Sequence, residues 1–540
     1  MKKRISILLF ILMILFGACI KDITETIEKA SHINTVRWNP SIAIPLTHAN
    51  LSFRDFIGGT NASQYIQIKD DSLITLVYED KYTSDKVEDI LTLDAQNYGE
   101  TFTFTSEQLN ALNTLGQVKV IINRTISYDG DGNELDQIWF KQGQINLDIE
   151  STFEHDIACI LNIPDSKKGG TPISLNLDAN YLGTPIDASS IYELANAEID
   201  FTKTAQGHSE LTLEFEFTIT KIPTKTIKSS ESITYAMAIE NQKFSKITGY
   251  FDQLKFDNVS GQFSVPFFEN STNGSIGIVE PTIHFYSSSS LGIPLDITMK
   301  QFDGKNNSNT IVPLSSNSGS IVIQVPKIDT IGAVAEDSLV LDNTNSNLVN
   351  YISNRPINNS YSVSIQPNPS NNRHWLLDTS RLSSNIKLTL PLFGTLKDYL
   401  LEKTSSFELS LKNAEEIKEV LVRLYTENGF PVDVNAQLYF EDSNTNIVID
   451  SLLITGETIF ESAPVDINGK PIAKSSKTTD IILDANRVDR VRSANQVRIK
   501  AILSTFTGNS GNQPNIRIYS FDQIAFQLGV QAEVLINQEL

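Results

Sequence analysis

The segment Tyr128–Glu134 has the spacing of residues best suited to chemistry in this sequence. Asp129, Asp131 and Asn133 stand at every second position, as the first three ligands of a calcium loop do. The sixth position of such a loop needs a glycine and is Glu134 here, so the match is incomplete. The Asp-Gly pairs also favour a tight turn between two strands. We therefore predict a hairpin turn, and a weak calcium site at the same three residues is the alternative.

The usual signatures of catalysis and metal binding do not occur in this sequence. Its six histidines are scattered, and the HExxH zinc motif, the GxSxG nucleophile elbow and the phosphate-binding P-loop are all missing. Cys159 lies in the apolar stretch Ile157–Leu161, which indicates a small buried side chain more than a nucleophile. With 64 acidic residues in the chain, a pair of carboxylates suited to glycoside hydrolysis stays an open alternative. We expect a protein that is not an enzyme, with a hydrolase as the less favoured alternative.

The tryptophan side chains are the other candidates for binding. Trp139 is followed by Phe140, just after the predicted turn, and the two rings could form a platform for a sugar ring. Tryptophans in sandwich proteins are more often packing residues. We interpret Trp38, Trp139 and Trp375 as packing residues, and a sugar platform at Trp139 and Phe140 is the alternative.

The N-terminus has the three parts of a secretory signal. Basic residues at positions 2–4 precede the apolar run Ile5–Phe16, which is too short to span a bilayer, and small residues then lead to Cys19. This order resembles the signal of bacterial lipoproteins, although Phe16 stands where that family prefers leucine. The resemblance implies cleavage before Cys19 and acyl chains such as palmitate on the new N-terminus. An ordinary signal peptide is the alternative.

Composition limits the class of protein and its partners. The chain has 540 residues, of which 40% are hydrophobic, so we expect two to four packed domains. Residues 1–18 contain three basic residues and no acidic one, so the chain from Cys19 onward has a formal charge of −24. Such a surface repels phosphate backbones, so no nucleic acid is expected as a partner. With Cys19 acylated, Cys159 would have no disulfide partner.

Period-two alternation of apolar residues, which is typical of half-buried strands, dominates the chain after Trp38. The longest series covers residues 524–536. Shorter series lie at 145–149, 211–219, 321–325 and 497–503. Helical periodicity is short and local. The sequence therefore predicts an all-β fold of serial antiparallel β-sandwich modules with few short helices, preceded by the signal peptide.

Composition shifts and short internal similarities divide the chain. Segments 285–297 and 424–434 both read as strand, polar turn, glycine, apolar residue, proline and second strand. A run rich in asparagine and proline at 343–372 marks another change. We predict five parts, namely a signal peptide (1–18), a tether (19–36), a first β-sandwich region (37–245), a second module (246–372) and a third module (373–540).

These features together resemble the large outer-membrane lipoproteins of the Bacteroidota. The strand-turn-strand units, with Gly-apolar-Pro-apolar-Asp at Gly292–Asp296 and Gly429–Asp433, are similar to the immunoglobulin-like sandwich of late-embryogenesis-abundant proteins. The resemblance implies a lipid-anchored location at the outer membrane, on the periplasmic face or at the cell surface. It also implies O-glycosylation where Asp is followed by Ser or Thr and an aliphatic residue. That pattern occurs at Ser72, Thr330, Ser338 and Ser451.

The expected function follows from this combination of anchor and strand modules. Loops on a rigid scaffold are where binding residues concentrate. We expect a lipid-anchored structural or interaction subunit, as in an outer-membrane protein assembly, with outer-membrane lipid and another protein as partners. A surface polysaccharide-binding lipoprotein is the alternative. We expect no cofactor apart from the covalent lipid at Cys19 and the alternative calcium.

Overall fold

The computed structural model describes residues 41–53, 64–269, 271–407, 417–445, 447–453, 457–505 and 514–534. Cys19, the signal peptide and the tether lie outside the described residues. Strands make up most of the described chain and its four α-helices are short, so the predicted all-β class is confirmed. Within these ranges no helix is both long enough and apolar enough to cross a bilayer.

Strands follow one another along the whole of the described chain. The first are β1 (Ser41–Ser52), β2 (Ile66–Ile68), β3 (Ile74–Thr83), β4 (Gln96–Thr103), β5 (Gln117–Ser127), β6 (Glu134–Ser151), β7 (Asp156–Lys168), β8 (Thr171–Ala179), β9 (Ile186–Glu193), β10 (Ala197–Asp200), β11 (Glu210–Thr220) and β12 (Ser232–Tyr250). The next are β13 (Val259–Ser264), β14 (Ser271–Ile278), β15 (Thr282–Ser289), β16 (Leu295–Lys305), β17 (Ile311–Pro313), β18 (Ile321–Val325), β19 (Ala335–Leu341), β20 (Asn358–Pro367), β21 (His374–Leu377) and β22 (Leu382–Pro391). The last are β23 (Phe393–Ser406), β24 (Ile417–Asn428), β25 (Val432–Asp442), β26 (Ile447–Ser451), β27 (Thr458–Phe460), β28 (Ser475–Asp484), β29 (Gln496–Thr505), β30 (Ile516–Arg517) and β31 (Gln523–Val534). The α-helices are α1 (Val87–Ile90), α2 (Ser106–Leu115), α3 (Leu348–Ser353) and α4 (Ala485–Ser493).

The largest sheet has ten strands. Its order is β21-β12-β6-β10-β7-β11-β5, with β4 beside β12, β9 beside β6 and β8 beside β7. The alternation predicted for 211–219 is present in β11, where the odd-numbered residues are fully buried and the residues between them are partly exposed. Aromatic rings fill the space next to β11, and the ring centroids of Phe215 and Tyr235 are 4.6 Å apart. One face of each strand therefore enters a densely packed core.

Two five-stranded sheets form a second unit. One has the order β19-β15-β22-β3-β2, and the other has the order β13-β20-β16-β17 with β18 beside β16. Their inner faces meet, since the rings of Phe285 on β15 and Phe302 on β16 pack edge to face at 6.0 Å. This unit is a two-layer sandwich.

The C-terminal strands form two more sheets. The order β1-β31-β24-β28 gives a four-stranded sheet, and β14-β23-β29-β25-β26 forms a seven-stranded sheet together with β27 and β30. The inward series predicted at the C-terminus is buried from Ile524 to Ala532 in β31. The prediction for residue 536 lies outside the described residues.

Strand pairing joins segments that are far apart in the chain. Strand β1 pairs with β31, β3 pairs with β22, and β12 continues without a break through residue 245. The divisions near 245 and 372 stay predictions, although these pairings cross both positions. Periodicity within a strand contains no information about its hydrogen-bonded neighbour, so local patterns did not indicate the pairings.

The two Gly-apolar-Pro segments have the same role in the fold. Residues 290–294 lead from β15 in one five-stranded sheet to β16 in the other, and residues 429–431 lead from β24 in the four-stranded sheet to β25 in the seven-stranded sheet. A Cβ atom on Gly292 would lie 2.4 Å from the carbonyl oxygen of Trp375, so this crossing requires a glycine. The repeated segment therefore marks a change of sheet.

Candidate functional site

A cleft lies between the two five-stranded sheets, and we refer to it as the inter-sheet cleft. Its walls come from β3, β15 and β22 of one sheet and from β13, β16, β18 and β20 of the other. It contains about 510 Å³ of space free of atoms, part of which is open to solvent. Most of the surface is aliphatic, with Ile297, Met299, Ile323, Val363 and Ile386 among the lining residues. The β-branched residues fit these positions because they pack well on a pleated surface.

The only carboxyl group that lines the inter-sheet cleft belongs to Asp80. It occupies an inward position of β3, in series with Leu76 and Tyr78, and it is partly exposed. The hydroxyl of Tyr361 donates to Oδ2 of Asp80 at 2.8 Å. The backbone N–H of Lys81 donates to Oδ1 at 3.0 Å. In the part of the chain that the structure describes, no cationic side chain forms an ion pair with Asp80.

Tyr361 is held in place by its neighbours. It is 6% exposed, and a Cβ atom on Gly261 would lie 2.3 Å from its ring, so the glycine makes room for it. Burial, followed by the hydrogen bond to Asp80, raises the pKa of Tyr361 well above its usual value. The phenol therefore stays neutral, and its hydroxyl donates a hydrogen bond to the Asp80 carboxylate.

The remaining polar groups of the cleft differ in their pairing, and Oδ1 of Asn385 is buried without a hydrogen-bond partner among the described residues. The hydroxyl oxygens of Ser287 and Ser384 are 2.9 Å apart and hydrogen-bonded to each other. Tyr82 stands near the acidic residues Asp85 and Asp257, and burial together with these charges raises the pKa of Tyr82. The lining residues include no histidine, cysteine or lysine. An apolar wall with a few polar groups is typical of a binding pocket.

The predicted hairpin at 128–133 is wrong. Strand β5 pairs with β11, whereas β6 pairs with β9, β10 and β12, so β5 and β6 are not neighbours. The Tyr128 side chain is buried, packs on Phe201 and donates its hydroxyl hydrogen to the Gln242 amide oxygen. These tertiary contacts fix residues 128–133 as a connection between two strands that are not neighbours in the sheet. The Asp-Gly pairs favour a turn locally and contain no information about these distant contacts.

The three calcium candidates lie together in this crossing. The Asn133 amide oxygen accepts the backbone N–H of Gln253 at 3.2 Å, and its nitrogen donates to the carbonyl of Gly130 at 3.1 Å. Oδ1 of Asp129 accepts the backbone N–H of Asp131 at 2.9 Å. These side chains therefore shape the loop, and a weak calcium site stays a prediction. Among the described residues, no group of three or more His, Cys, Asp or Glu side chains could hold a metal ion.

Trp139 and Phe140 do not form a common platform. They are consecutive residues of β6, so their side chains leave opposite faces of the sheet. Phe140 is buried, and the Lys246 ammonium lies 3.2 Å from the centroid of the partly exposed Trp139 ring. Trp375 is buried and its indole N–H donates to the carbonyl of Ile328 at 3.0 Å. Trp38 lies outside the described residues.

The other predicted positions are dispersed. Ser72 and Ser451 are partly exposed, whereas Thr330 and Ser338 are exposed, so O-glycosylation stays a prediction at each. Cys159 is buried in β7, as expected, and burial raises the pKa of its thiol to about 12. Such a thiol is unreactive at neutral pH.

Neither Asp80 nor Tyr361 was identified from the sequence. The available signal was an acidic residue within the inward series Leu76, Tyr78, Asp80 and Tyr82, where an apolar side chain is expected. Only the sandwich brings Tyr361 of β20 to β3, because the two residues are 281 positions apart in the chain.

Comparisons with known proteins add little to this site. No family model matches the chain, and no curated protein matches it. Among solved structures, the chain is similar to a predicted secreted protein of Parabacteroides distasonis, with 12% identity, a TM-score of 0.29, and coverage of 54% of this chain and 89% of that chain. It is also similar to the Kashmir bee virus empty particle, with 10% identity, a TM-score of 0.13, and coverage of 39% and 95%. TM-scores of this size do not establish a common overall fold.

Proposed function

We propose that this chain is a lipid-anchored, non-catalytic structural or interaction subunit at a bacterial outer membrane. The residues that line the inter-sheet cleft are the observation that supports a non-catalytic role. Its apolar walls surround one carboxyl group, which accepts the Tyr361 hydroxyl, and the hydroxyl groups of Ser287 and Ser384 are hydrogen-bonded to each other. This arrangement favours recognition over acid–base chemistry.

The candidate anchor lies close in the sequence to the first described strand. The first described strand begins at Ser41, so 21 residues lie between it and the candidate lipid-bearing Cys19. A chain of that length spans at most about 75 Å when extended. An acyl chain on Cys19 would therefore tether the sheets near a membrane while leaving their loops free to meet a partner. Stable attachment requires more than one acyl chain.

Exposed apolar side chains support a role in protein contacts. Ile467 and Phe521 are strongly exposed on two loops. The loop of Ile467 is joined to β30, which precedes the loop of Phe521, by a hydrogen bond from the Arg517 N–H to the Gly469 carbonyl at 2.8 Å. The Phe521 ring stacks on Tyr519 at a centroid distance of 5.2 Å, so it is held in an exposed position. Loop tips of this kind on a rigid sheet are typical of contact surfaces.

Replacing Cys19 tests the anchor directly. We expect Cys19→Ala to move the protein from the membrane fraction to the soluble fraction, because the variant cannot be acylated. Cys159→Ala is the matched control and should stay in the membrane fraction, since that thiol is buried in a strand. Continued retention of the Cys19→Ala chain would contradict lipid anchoring, and fractionation with immunoblotting measures both variants.

The interaction role needs a separate measurement. Cross-linking of native membranes, followed by extraction in mild detergent, should recover the chain with a defined protein partner. Ile467→Ser and Phe521→Ser should weaken that recovery while leaving membrane retention unchanged. Recovery of the chain alone, together with measurable hydrolysis of a glycan, would contradict the proposal.

A further inference from the structure

We propose that the inter-sheet cleft binds a small organic cation, namely an ammonium or guanidinium group carried by a single aromatic or branched aliphatic body. This inference goes beyond the proposed function, since it does not depend on the anchor or on a protein partner. It follows from the charge, the walls and the size of the cleft.

The charge inside the cleft is negative and has no cation beside it among the described residues. Asp80 accepts hydrogen bonds from the Tyr361 hydroxyl and from the Lys81 backbone, both neutral donors. The nearest lysine side chains point elsewhere, because Lys81 and Lys387 approach Glu79 at 3.9 and 3.4 Å on the opposite face of the sheet. A carboxylate in partly apolar surroundings gains stability from a bound cation.

The charges around the cleft also favour a cationic ligand over an anionic one. Asp85, which follows β3, and Asp257, which precedes β13, both act on Tyr82, so further negative charge lies near this part of the cleft. An anionic ligand would meet these charges without a compensating lysine, arginine or histidine in the lining. The aromatic residues Tyr82 and Phe285 are also among the lining residues, and an ammonium group is attracted to the face of an aromatic ring.

The walls and the size of the cleft determine the body of the ligand. Ile297, Ile323 and Ile386 are buried and present only hydrocarbon. Met299 and Val363 are partly exposed, so the cleft has access to solvent. The cleft contains about 510 Å³ of space free of atoms, part of which is open to solvent. A single ring or a branched chain can enter this partly open space, whereas a polysaccharide is too large to lie between the two sheets.

Benzylamine and benzyl alcohol are suitable probes, because they share one ring and differ in charge at neutral pH. The full-length chain, extracted from membranes in detergent, would be titrated with each by calorimetry. We expect benzylamine to bind at least about tenfold more tightly than benzyl alcohol, since only the charged probe can form an ion pair with Asp80. Equal affinity for the two compounds, or binding of neither, would overturn the proposal.

Asp80→Asn isolates the charge. The asparagine oxygen can still accept from Tyr361, so the sandwich should keep its structure while the preference for benzylamine falls about tenfold or more. Asp187→Asn on β9 is the matched control, because it removes one exposed carboxylate from a different sheet. Unchanged preference in Asp80→Asn, or an equal loss in Asp187→Asn, would refute the role of Asp80.

Ile323→Phe locates the site. The larger ring should fill the cleft and weaken both probes together, with circular dichroism and thermal melting used to check that the variant folds. If it does not fold, the milder Ile323→Met takes its place. Undiminished binding in a folded, filled variant would place the probes elsewhere and refute the site. Membrane retention, which tests the anchor, is measured independently of these titrations.

Discussion

The ten-stranded sheet and the inter-sheet cleft both place a carboxylate beside aromatic side chains, but they give it different neighbours. In the ten-stranded sheet, Glu100 on β4 accepts two hydrogen bonds from Arg124 on β5, at 2.9 and 2.8 Å, and further bonds from Tyr98 and Tyr235. In the cleft, Asp80 has the Tyr361 hydroxyl and one backbone N–H. The first carboxylate is fully paired, and the second has capacity left for a ligand.

Strands with the same alternation of apolar and polar residues can therefore contain either an ion-paired carboxylate or one without an ion pair. Both carboxylates occupy strands with period-two alternation. The Arg124 guanidinium, followed by the two tyrosine hydroxyls, lowers the pKa of Glu100 to about 2. Strands β4 and β5 are not paired with each other, so this ion pair links two separate strands of the sheet. We interpret it as structural, whereas the cleft remains able to bind.

The largest expected effect comes from substitutions that compare side-chain packing in the ten-stranded sheet with packing in the inter-sheet cleft. Phe215→Ala should destabilise the protein by about 3–5 kcal/mol, because Phe215 is enclosed by Tyr235 and other aromatic rings. Phe285→Ala is the matched change in the cleft lining and should cost less, about 2–3 kcal/mol, since one side of that ring already faces unfilled space. Urea-induced unfolding of the full chain measures both. Equal losses would show that the cleft is as densely packed as the core of the larger sheet.

A third carboxylate extends the comparison to a group that is buried and lacks an ion pair in the described chain. Asp522 is 4% exposed and accepts the Tyr519 N–H at 2.7 Å. Burial raises its pKa from 3.8 to about 7, although the Tyr519 N–H and Lys470 partly offset this. Its charged form is therefore disfavoured in the folded state, and stability falls as pH rises from about 4 to 7.

Asp522→Asn should remove that loss. The amide oxygen can still accept the Tyr519 N–H, so we expect the variant to be about 4 kcal/mol more stable than the wild type at pH 9 and equal to it near pH 4. Thermal melting across this pH range measures the difference. A variant that is less stable at pH 9 would show that the charged carboxylate has a favourable partner in solution.

The smallest effect concerns the paired carboxylate itself. A lowered pKa means that Glu100 contributes stability above its ordinary pKa of 4.5, and this contribution is lost as pH falls towards 2. Because the side chain is 36% exposed, we expect Glu100→Gln to cost only about 1 kcal/mol at pH 7 and nothing at pH 2. Asp80→Asn, which breaks no ion pair in the described chain, should change stability less at pH 7. The reverse order, measured by urea unfolding, would contradict the contrast between the two groups.

The sequence predicted the class of fold and many of its inward residues. The alternation in 211–219 and at the C-terminus is present as buried positions of β11 and β31, and Cys159 is buried as its apolar neighbours indicated. The repeated Gly-apolar-Pro segments marked two real crossings between sheets. The sequence did not predict the backbone path of residues 128–133, because the Tyr128 side chain is fixed by contacts with residues far along the chain.

The sequence by itself determined that this chain forms half-buried strands, since period-two alternation is a local property that each segment carries alone. Tertiary structure decided which strands became neighbours, and with them the partner of each carboxylate. Glu100 and Arg124 are 24 residues apart, and Asp80 and Tyr361 are 281 apart. Contacts over such separations depend on the register of whole sheets, which no short pattern encodes. The paired and the available carboxylate therefore look alike in the sequence and differ only in the folded protein.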